Sequence, residues 1–247
     1  FRFNAGLFDA ALLADAAVAG FVFHGIPRID DGVASLFQAR IFARGALTLP
    51  LPPDAPFFRI FAVLGDEQGL AHRCGMYPPG WPALLTPGVW LGVPWLVNPL
   101  LGALLVVAIG ELGRGFYGDR TGRVAALLAL PSPFLAVLSG LHLSNIPTTL
   151  FLCLALLGLQ KLWATARWAW GGAAGLAWGV AFLCRPLDAA VLGAVFALGF
   201  LFPAQRLWRC RQGIAAGLAA VMLAAGALMG FQKAATGDWR TPGHAIG

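Results

Sequence analysis

Two neighbouring apolar stretches decide the fold class. Residues 146–163 read IPTTLFLCLALLGLQKLW, and residues 169–184 read AWGGAAGLAWGVAFLC. The charged side chains of this part of the chain are Lys161 and Arg167, which lie where the two stretches connect. Apolar runs of this kind, with cations gathered at the connection, are typical of helices that cross a bilayer. The two stretches therefore predict a pair of membrane-spanning helices.

The composition of the whole chain agrees with a membrane protein. Of its 247 residues, 59% are hydrophobic and 11% are charged, and the mean hydropathy is +0.75. A soluble domain carries roughly a quarter charged residues, so this chain lacks the side chains for a polar exterior. We predict an all-α, polytopic helical membrane protein that forms a single domain over residues 1–247. About seven spans are expected, at 5–23, 95–112, 124–139, 146–163, 169–184, 187–202 and 213–231.

One of these spans carries a stripe of small residues. Gly171, Gly175 and Gly179 recur at every fourth position. Residues four apart lie on one helix face, and small side chains there let two helices approach closely in a membrane. The stripe predicts a helix-packing face rather than a nucleotide-binding loop.

Basic residues mark one side of the membrane. They cluster in three loops between predicted spans, formed by Arg114, Arg120 and Arg123, by Lys161 and Arg167, and by Arg206, Arg209 and Arg211. Loops rich in Lys and Arg face the cytoplasm. The alternation of spans then puts the long loop 24–94, the turns at 140–145 and 185–186, and the tail after 232 on the outer side of the cytoplasmic (inner) membrane.

The apolar stretch 81–92 decides whether this topology holds. It is too short to cross a bilayer, and Trp81, Trp90 and Trp95 suit a helix that lies in the interface. If the stretch crossed, the long loop and the basic loops would share a side. We therefore expect a long outer loop that contains juxtamembrane helices.

Charge and cysteine usage exclude two function classes. The net charge is +6, yet the cations form short clusters between apolar segments rather than a continuous stripe, so nucleic acid is not an expected partner. The four cysteines are scattered without a CxxC pair, which argues against a zinc site or a disulfide framework.

An acidic pair follows the first predicted span. Asp30 and Asp31 precede the stretch 32–43, whose apolar spacing predicts a helix. Adjacent carboxylates at this place can act as a general base, bind a divalent cation, or cap the helix. The residues alone leave these alternatives open.

Two further features share the predicted outer side with the acidic pair. Residues 77–82 read YPPGWP, in which two prolines stiffen the chain between Tyr77 and Trp81, an aromatic pair suited to hold a head group or a sugar ring at the membrane boundary. Arg185 stands between two apolar spans, where a guanidinium either reaches toward lipid head groups or binds a phosphate. The loop histidines His24, His72 and His142 match no metal motif and are expected to be exposed.

These motifs, in their order and spacing, resemble a known family. The stretches 26–31 (IPRIDD), 37–40 (FQAR), 77–82 (YPPGWP), 95–101 (WLVNPLL), 132–134 (SPF) and 185–187 (RPL) look like those of GT-C-type glycosyltransferases. The chain is most similar to the bacterial branch related to protein O-mannosyltransferases and lipid A aminoarabinose transferases, over residues 24–240. The resemblance implies transfer of a sugar from a polyprenyl-phosphate donor to a glycan, lipid or protein acceptor on the outer face of the membrane.

The resemblance also implies roles for individual residues. Asp30 and Asp31 are the expected catalytic pair of an inverting transfer, with Asp30 as base and Asp31 as its partner. Arg185 is the expected phosphate ligand, and Tyr77, Trp81 and Gln38 are expected at the donor site. Whether a divalent cation takes part stays open; Asp30 and Asp31 are its expected ligands if it does.

The chain departs from the family pattern at three points. Asp31 stands where a Glu is common, and Asn145 stands where near relatives carry His. Full-length members have more spans and often a soluble C-terminal domain. We therefore expect the chain to be a fragment that contains the catalytic loop 24–94.

Two other functions fit a polytopic chain of this composition. One is a transporter or flippase of a lipid-linked sugar, in which Asp9 and Asp15 of the first span form the polar path. The other is a non-catalytic membrane subunit that binds the lipid. A transporter keeps its functional charges near the membrane midplane, whereas the candidate cluster here lies in an outer loop.

Overall fold

The structure is a computed structural model that describes residues 2–54, 61–200 and 204–245. The described chain is dominated by helices, as predicted from its apolar segments. They are α1 (Arg2–Ala17), α2 (Asp30–Phe42), α3 (Gly80–Trp90), α4 (Val97–Tyr117), α5 (Asp119–Ala129), α6 (Pro133–Gly140), α7 (Asn145–Thr165), α8 (Trp168–Cys184), α9 (Pro186–Phe200), α10 (Ala204–Arg209) and α11 (Arg211–Thr236). The all-α, membrane-type fold is confirmed.

The predicted number of seven spans is not confirmed. Among the described residues, four helices are long and apolar enough to cross a membrane: Phe3–Val22, Pro94–Tyr117, Asn145–Thr165 and Arg211–Thr236. A fifth candidate is the pair α5 and α6, which is bent by 61°. The fifth and sixth predicted segments, 169–184 and 187–202, correspond to the shorter apolar helices Trp168–Cys184 and Pro186–Val195.

Prolines and glycines set several helix boundaries. Pro133 and Pro186 begin α6 and α9, because a proline lacks the N–H that the first helical turn leaves without a partner. Gly237 ends α11 with φ of 81°, a left-handed conformation that costs glycine little. The apolar runs are thereby cut into helices that reverse direction at defined residues.

The glycine stripe packs α8 against α11, as predicted. A Cβ added at Gly175 would lie 2.5 Å from the Cα of Gly217, and one at Gly179 would lie 2.9 Å from the Cβ of Ala224. These distances leave no room for a side chain at Gly175. The two helices therefore meet backbone to backbone, which maximises dispersion contacts where lipid removes the hydrophobic driving force.

The long loop after α1 folds onto one end of the bundle. It contains α2, α3 and a small antiparallel sheet in the order β1-β3-β2, formed by β1 (Leu49–Pro50), β2 (Val63–Leu64) and β3 (His72–Gly75). The sequence did not predict this sheet, because strands of two to four residues are too short to show an alternating pattern. The helix that begins near 32 was predicted.

Helix α3 is packed into the fold instead of lying as a free interfacial helix. Trp81 is 1% exposed and clusters with Ala39 of α2, Leu85 and Cys184 of α8. The ring of Trp81 fills the space between three helices and is not exposed, whereas the position of α3 at a lipid–water boundary stays a prediction. Trp90, at the other end of α3, is exposed and donates from Nε1 to the carbonyl of Ala43.

Contacts at the two ends of the bundle separate the long loop from the basic loops. At the loop end, His72 of β3 is hydrogen-bonded to the carbonyl of Ala235 near the end of α11. At the other end, Asn4 donates to Glu111 over 2.6 Å, and Arg123 pairs with Asp119. These contacts put the long loop and the first basic loop at different ends of the bundle, and the compartment that each end faces remains a prediction from the basic loops.

Candidate active site

A polar cleft opens at the loop end of the bundle. Its volume is about 280 Å³. Four segments that are distant in sequence supply its walls: α2, the turn before α3, the turn before α7 and the turn between α8 and α9. The lining residues are Asp31, Ser35, Tyr77, Pro78, Trp81, Leu143, Ser144, Asn145, Cys184, Arg185, Pro186, Leu187 and Asp188. The cleft thus brings together Asp31, Tyr77, Trp81 and Arg185, which the sequence had selected separately.

The first turn of α2 presents the acidic pair. Ile29 is the N-cap residue, in extended conformation, and its side chain forms no capping hydrogen bond. Asp30 and Asp31 therefore lie inside the helix, and both are exposed. The helix-cap alternative is wrong for both carboxylates, although negative charge in a first turn remains favourable toward the helix dipole.

Tyr77 holds the carboxylate of Asp31. Its hydroxyl donates to Asp31 Oδ1 over 2.5 Å, a charge-assisted hydrogen bond across 46 residues of sequence. Burial, together with the hydrogen bond and the negative charge of Asp31, raises the pKa of Tyr77 above its ordinary range. Tyr77 is therefore a stable proton donor at neutral pH and leaves the other carboxylate oxygen, Oδ2, available in the cleft.

Arg185 supplies the positive charge of the cleft. It follows the end of α8, and its Nε pairs with Asp188 Oδ2 over 3.1 Å. The side chains of Arg185 and Asp188 are 41% and 47% exposed. Within the described part of the chain, the two terminal nitrogens of this guanidinium make no hydrogen bond to a protein group. They are the donors that a bidentate contact to a phosphate requires.

A lateral groove continues from the cleft between α7 and α9. Its volume is about 380 Å³. Its lining comprises Asn145, Thr148, Thr149, Leu152, Arg185, Leu187, Asp188, Val191 and Leu192. Asn145 and the Arg185–Asp188 pair line both spaces, while Leu187 and Val191 expose apolar surface. The groove therefore connects a charged site with an apolar path along two helices.

Two of the predicted site residues, Gln38 and Asp30, lie outside the lining of the cleft, and a third, Trp81, is almost fully buried. Gln38 is 1% exposed, donates to the carbonyl of Leu47 over 2.9 Å and accepts from the backbone N–H of Gly75 over 2.8 Å. It ties α2 to the sheet and does not line the cleft. Trp81 lines the cleft with a largely buried ring. Asp30 is exposed beside the cleft without lining it.

Asn98 anchors one wall of the cleft, a role that the sequence did not reveal. Its Nδ2 donates to the carbonyl of Leu138 over 3.0 Å and to that of Leu141. These bonds fix the turn that leads to Ser144 and Asn145. The only sequence signal was the presence of Asn98 in the quoted stretch 95–101.

The same turn buries His142, which had been expected to be exposed. His142 is 3% exposed because it is enclosed by Gly32 of α2 and by Trp81, whose Nε1 donates to the His142 carbonyl over 2.9 Å. Burial lowers the pKa of its imidazole. His142 therefore connects the turn before α7 with the two helices of the long loop.

The described residues contain no group of three or more His, Cys, Asp or Glu side chains placed to hold a metal ion. In the cleft, one oxygen of Asp31 is bonded to Tyr77 and one oxygen of Asp188 is paired with Arg185. A divalent cation requires several oxygen ligands. The sequence left the participation of such a cation open, and these contacts do not test it.

The two acids of the first span do not lie together. Asp9 is exposed, whereas Asp15 is buried, so that a Cβ at Gly102 of α4 would lie 2.5 Å from Asp15 Oδ2. A polar path through a bundle needs charged groups that face a common space. These two acids face different surroundings, and a shared path through them is not formed.

Fold and cleft together define a polytopic helical membrane protein with a polar site at one end. A family model described as dolichyl-phosphate-mannose-protein mannosyltransferase matches residues 92–229, which is more than half of the chain. The chain belongs to this family. Membership confirms the resemblance to GT-C-type membrane glycosyltransferases and indicates glycosyltransferase activity with a lipid-linked sugar donor. No curated protein matches the chain.

The matched segment covers only part of the cleft. It includes Asn145, Arg185 and Asp188, whereas Asp31 and Tyr77 precede it. The family match therefore extends over the cationic side of the cleft and not over the acidic side.

Proposed function

We propose that this protein transfers a sugar from a polyprenyl-phosphate donor to an acceptor on the outer face of the cytoplasmic membrane. The observation that carries the proposal is the single cleft shared by Asp31, Tyr77 and Arg185 in a chain of this family. A general base and a phosphate ligand on one cavity are the two groups that such a transfer needs.

The donor would bind with its phosphate at Arg185 and its prenyl chain in the lateral groove. The two terminal nitrogens of Arg185 suit two phosphate oxygens. Leu187, Val191 and Leu192 give the groove an apolar side on which isoprene units can pack. The sugar then occupies the cleft, between Arg185 and the acidic start of α2.

In the proposed reaction the acceptor oxygen attacks C1 of the sugar. A carboxylate takes the acceptor proton, the bond from C1 to the phosphate oxygen breaks, and the electron pair leaves with the lipid phosphate. Arg185 stabilises the negative charge that develops on this leaving group. Attack opposite the leaving phosphate inverts the configuration at C1.

Asp31 is the better supported base of the acidic pair. The sequence hypothesis assigned this role to Asp30, with Asp31 as its partner. Asp31 lines the cleft, and Tyr77 fixes one of its oxygens, so that the other can accept a proton in a constant orientation. Asp30, one residue earlier, adds negative charge to the same turn.

The basic loops support the proposed outward orientation of this site. Arg114, Arg123 and Lys161 lie near the end of the bundle opposite the cleft, and such loops are retained in the cytoplasm. A cleft at the other end would then meet donors carried in the outer leaflet.

The test is sugar transfer by the intact protein in native membranes, which supply the acceptor. The probe is polyprenyl-phosphate [¹⁴C]mannose, which carries the sugar in the family's name. We expect Asp31→Asn to lower transfer by about 10²- to 10⁴-fold, because a general base contributes on that order. Asp119→Asn, which removes a carboxylate at the other end of the bundle, is the control and retains wild-type transfer.

Two results would overturn parts of this proposal. Undiminished transfer by Asp31→Asn together with a loss in Asp30→Asn returns the role of base to Asp30. Wild-type protein that binds the labelled donor without transferring its sugar contradicts the enzymatic function and favours a lipid-binding subunit.

A further inference from the structure

The charge lining the cleft is unusual for a phosphate site. Among the described lining residues, Arg185 is the only Lys or Arg, whereas Asp31 and Asp188 are both acidic. Opposite charges a few ångströms apart attract and like charges repel with similar strength. Each additional negative charge on a bound phosphate group is therefore opposed by two carboxylates and favoured by one guanidinium.

Asp188 is the carboxylate closest to the proposed phosphate position. Its Oδ2 lies 3.1 Å from the Nε of Arg185, and it lines both the cleft and the lateral groove. A phosphate held by the terminal nitrogens of the same guanidinium must lie within a few ångströms of this carboxylate. The attraction of Arg185 for the phosphate is thereby partly cancelled.

The Arg185–Asp188 pair contributes little as a structural link. Its members are three residues apart, and about half of each side chain is exposed, which limits such pairs to a small stabilising effect. Pro186 already begins α9 without help from Asp188. Asp188 therefore matters more for the negative charge that it places beside Arg185 than for the stability of the fold.

We propose that Asp188 is a specificity-determining residue that limits the charge of the group bound at Arg185, so that a lipid monophosphate is accepted in preference to a lipid diphosphate. The inference rests on the proposed function, because it assumes that Arg185 binds the donor phosphate. It adds to that function a residue that selects among prenyl phosphates.

The test measures binding of farnesyl phosphate and farnesyl diphosphate to the full chain in lipid nanodiscs. We expect the wild type to prefer the monophosphate. Asp188→Asn should strengthen binding of the diphosphate about five- to tenfold more than binding of the monophosphate, as expected for one partly screened charge. Asp188→Glu should keep the wild-type preference, and Asp119→Asn, which neutralises a carboxylate of similar exposure, should change neither affinity.

A measurement on the wild type alone provides a second test. Salt screens exposed charges, so the preference for the monophosphate should shrink as ionic strength rises from about 0.05 to 0.5 M. A preference that does not depend on salt contradicts the proposal. So does equal weakening of both ligands by Asp188→Asn, which is the result expected if Asp188 only positions Arg185.

The failure of this inference can be distinguished from failure of the proposed function. If Arg185→Gln binds farnesyl phosphate as tightly as the wild type, the phosphate site itself is refuted. If Arg185→Gln loses binding but Asp188→Asn leaves the ratio of the two affinities unchanged, only the role of Asp188 is refuted.

Discussion

The two ends of the bundle each carry an Arg–Asp pair, and the pairs differ in their surroundings. At the basic end, Arg123 pairs with Asp119 over 2.6 Å. Asp119 also faces Arg114, which in turn pairs with Glu111, so that two cations and two acids neutralise one another. At the loop end, Arg185 pairs with Asp188 through Nε alone and borders a cleft and a groove.

The difference shows that an Arg–Asp pair can either neutralise charge at a surface or form part of a ligand-binding site. In the basic-end network, each guanidinium is matched by carboxylates of its own or a neighbouring helix. In the cleft, the terminal nitrogens of Arg185 make no hydrogen bond to the described residues, and the adjacent space has room for a ligand. The surroundings of an ion pair, more than its presence, indicate function.

The largest expected effect comes from removing each arginine in turn. Arg185→Gln should lower sugar transfer by about 10²- to 10³-fold, because it removes the charge that stabilises the leaving phosphate. Arg123→Gln should leave transfer within about twofold of the wild type, since exposed ion pairs contribute about 1 kcal/mol or less to stability. Both are measured with the labelled donor in native membranes. Equal losses in the two variants would remove the functional distinction between the ends.

A second experiment tests the close packing of α8 against α11, the two helices that meet at the glycine stripe. Gly175→Ala should destabilise the protein by about 1–3 kcal/mol, because the new methyl group has no space against Gly217. Gly172→Ala, on the same helix, meets only the Cβ of Ala216 at 3.9 Å and should be neutral or slightly stabilising. Unfolding in mixed detergent micelles measures both. A stable Gly175→Ala variant would show that α8 and α11 can separate.

A third experiment isolates the Tyr77–Asp31 bond. Tyr77→Phe should cost about 1 kcal/mol of stability at neutral pH, as for a hydrogen bond in a partly exposed place. Because the folded protein raises the pKa of Tyr77, this contribution is complete below about pH 10 and is lost as the pH rises through the folded value. Denaturation at several pH values checks this sign.

The titration itself can be followed by absorbance at 295 nm, since the chain has two tyrosines. Tyr77→Phe should remove the part of the absorbance change that occurs above the ordinary pH range of tyrosine ionisation. Tyr117→Phe should retain this part. A wild-type curve without that part contradicts the enclosure of Tyr77.

The smallest expected effect concerns the buried imidazole beside the cleft. Burial lowers the pKa of His142, so the unfolded chain binds a proton near pH 6.5 that the folded chain refuses. Stability should therefore fall as the pH drops below about 6.5. His142→Leu should reduce this dependence, whereas His24→Gln, at an exposed position, should retain it. Identical pH profiles in all three proteins would show that His142 is accessible to protons.

The helices could be predicted from sequence because they follow from local composition. Apolar runs predict helices, and Arg and Lys mark the loops between them. The choice of Asp31, Tyr77 and Arg185 for one site was also within reach, since the alternation of spans put all three at the same end.

The surroundings of residues that are fixed by long-range packing could not be predicted from sequence. The sequence offered Trp81 as a boundary residue and Gln38 as a donor ligand, yet both are buried by contacts with other segments of the long loop and with the turn that carries His142. Asp188 and Asn145 became candidate site residues only from the structure, in which α7 and α9 border the same groove. The spacing of residues along the chain does not predict contacts between such distant segments.

The dispersed origin of the cleft has a consequence for the newly made chain. A ribosome adds about 5–20 residues per second, so Asp31 precedes Arg185 by roughly 8–30 s during synthesis. Throughout that interval the nascent protein has its carboxylate without its guanidinium, and the groove between α7 and α9 does not yet exist. Any product truncated before α9 is expected to be inert, because it lacks one wall of the groove.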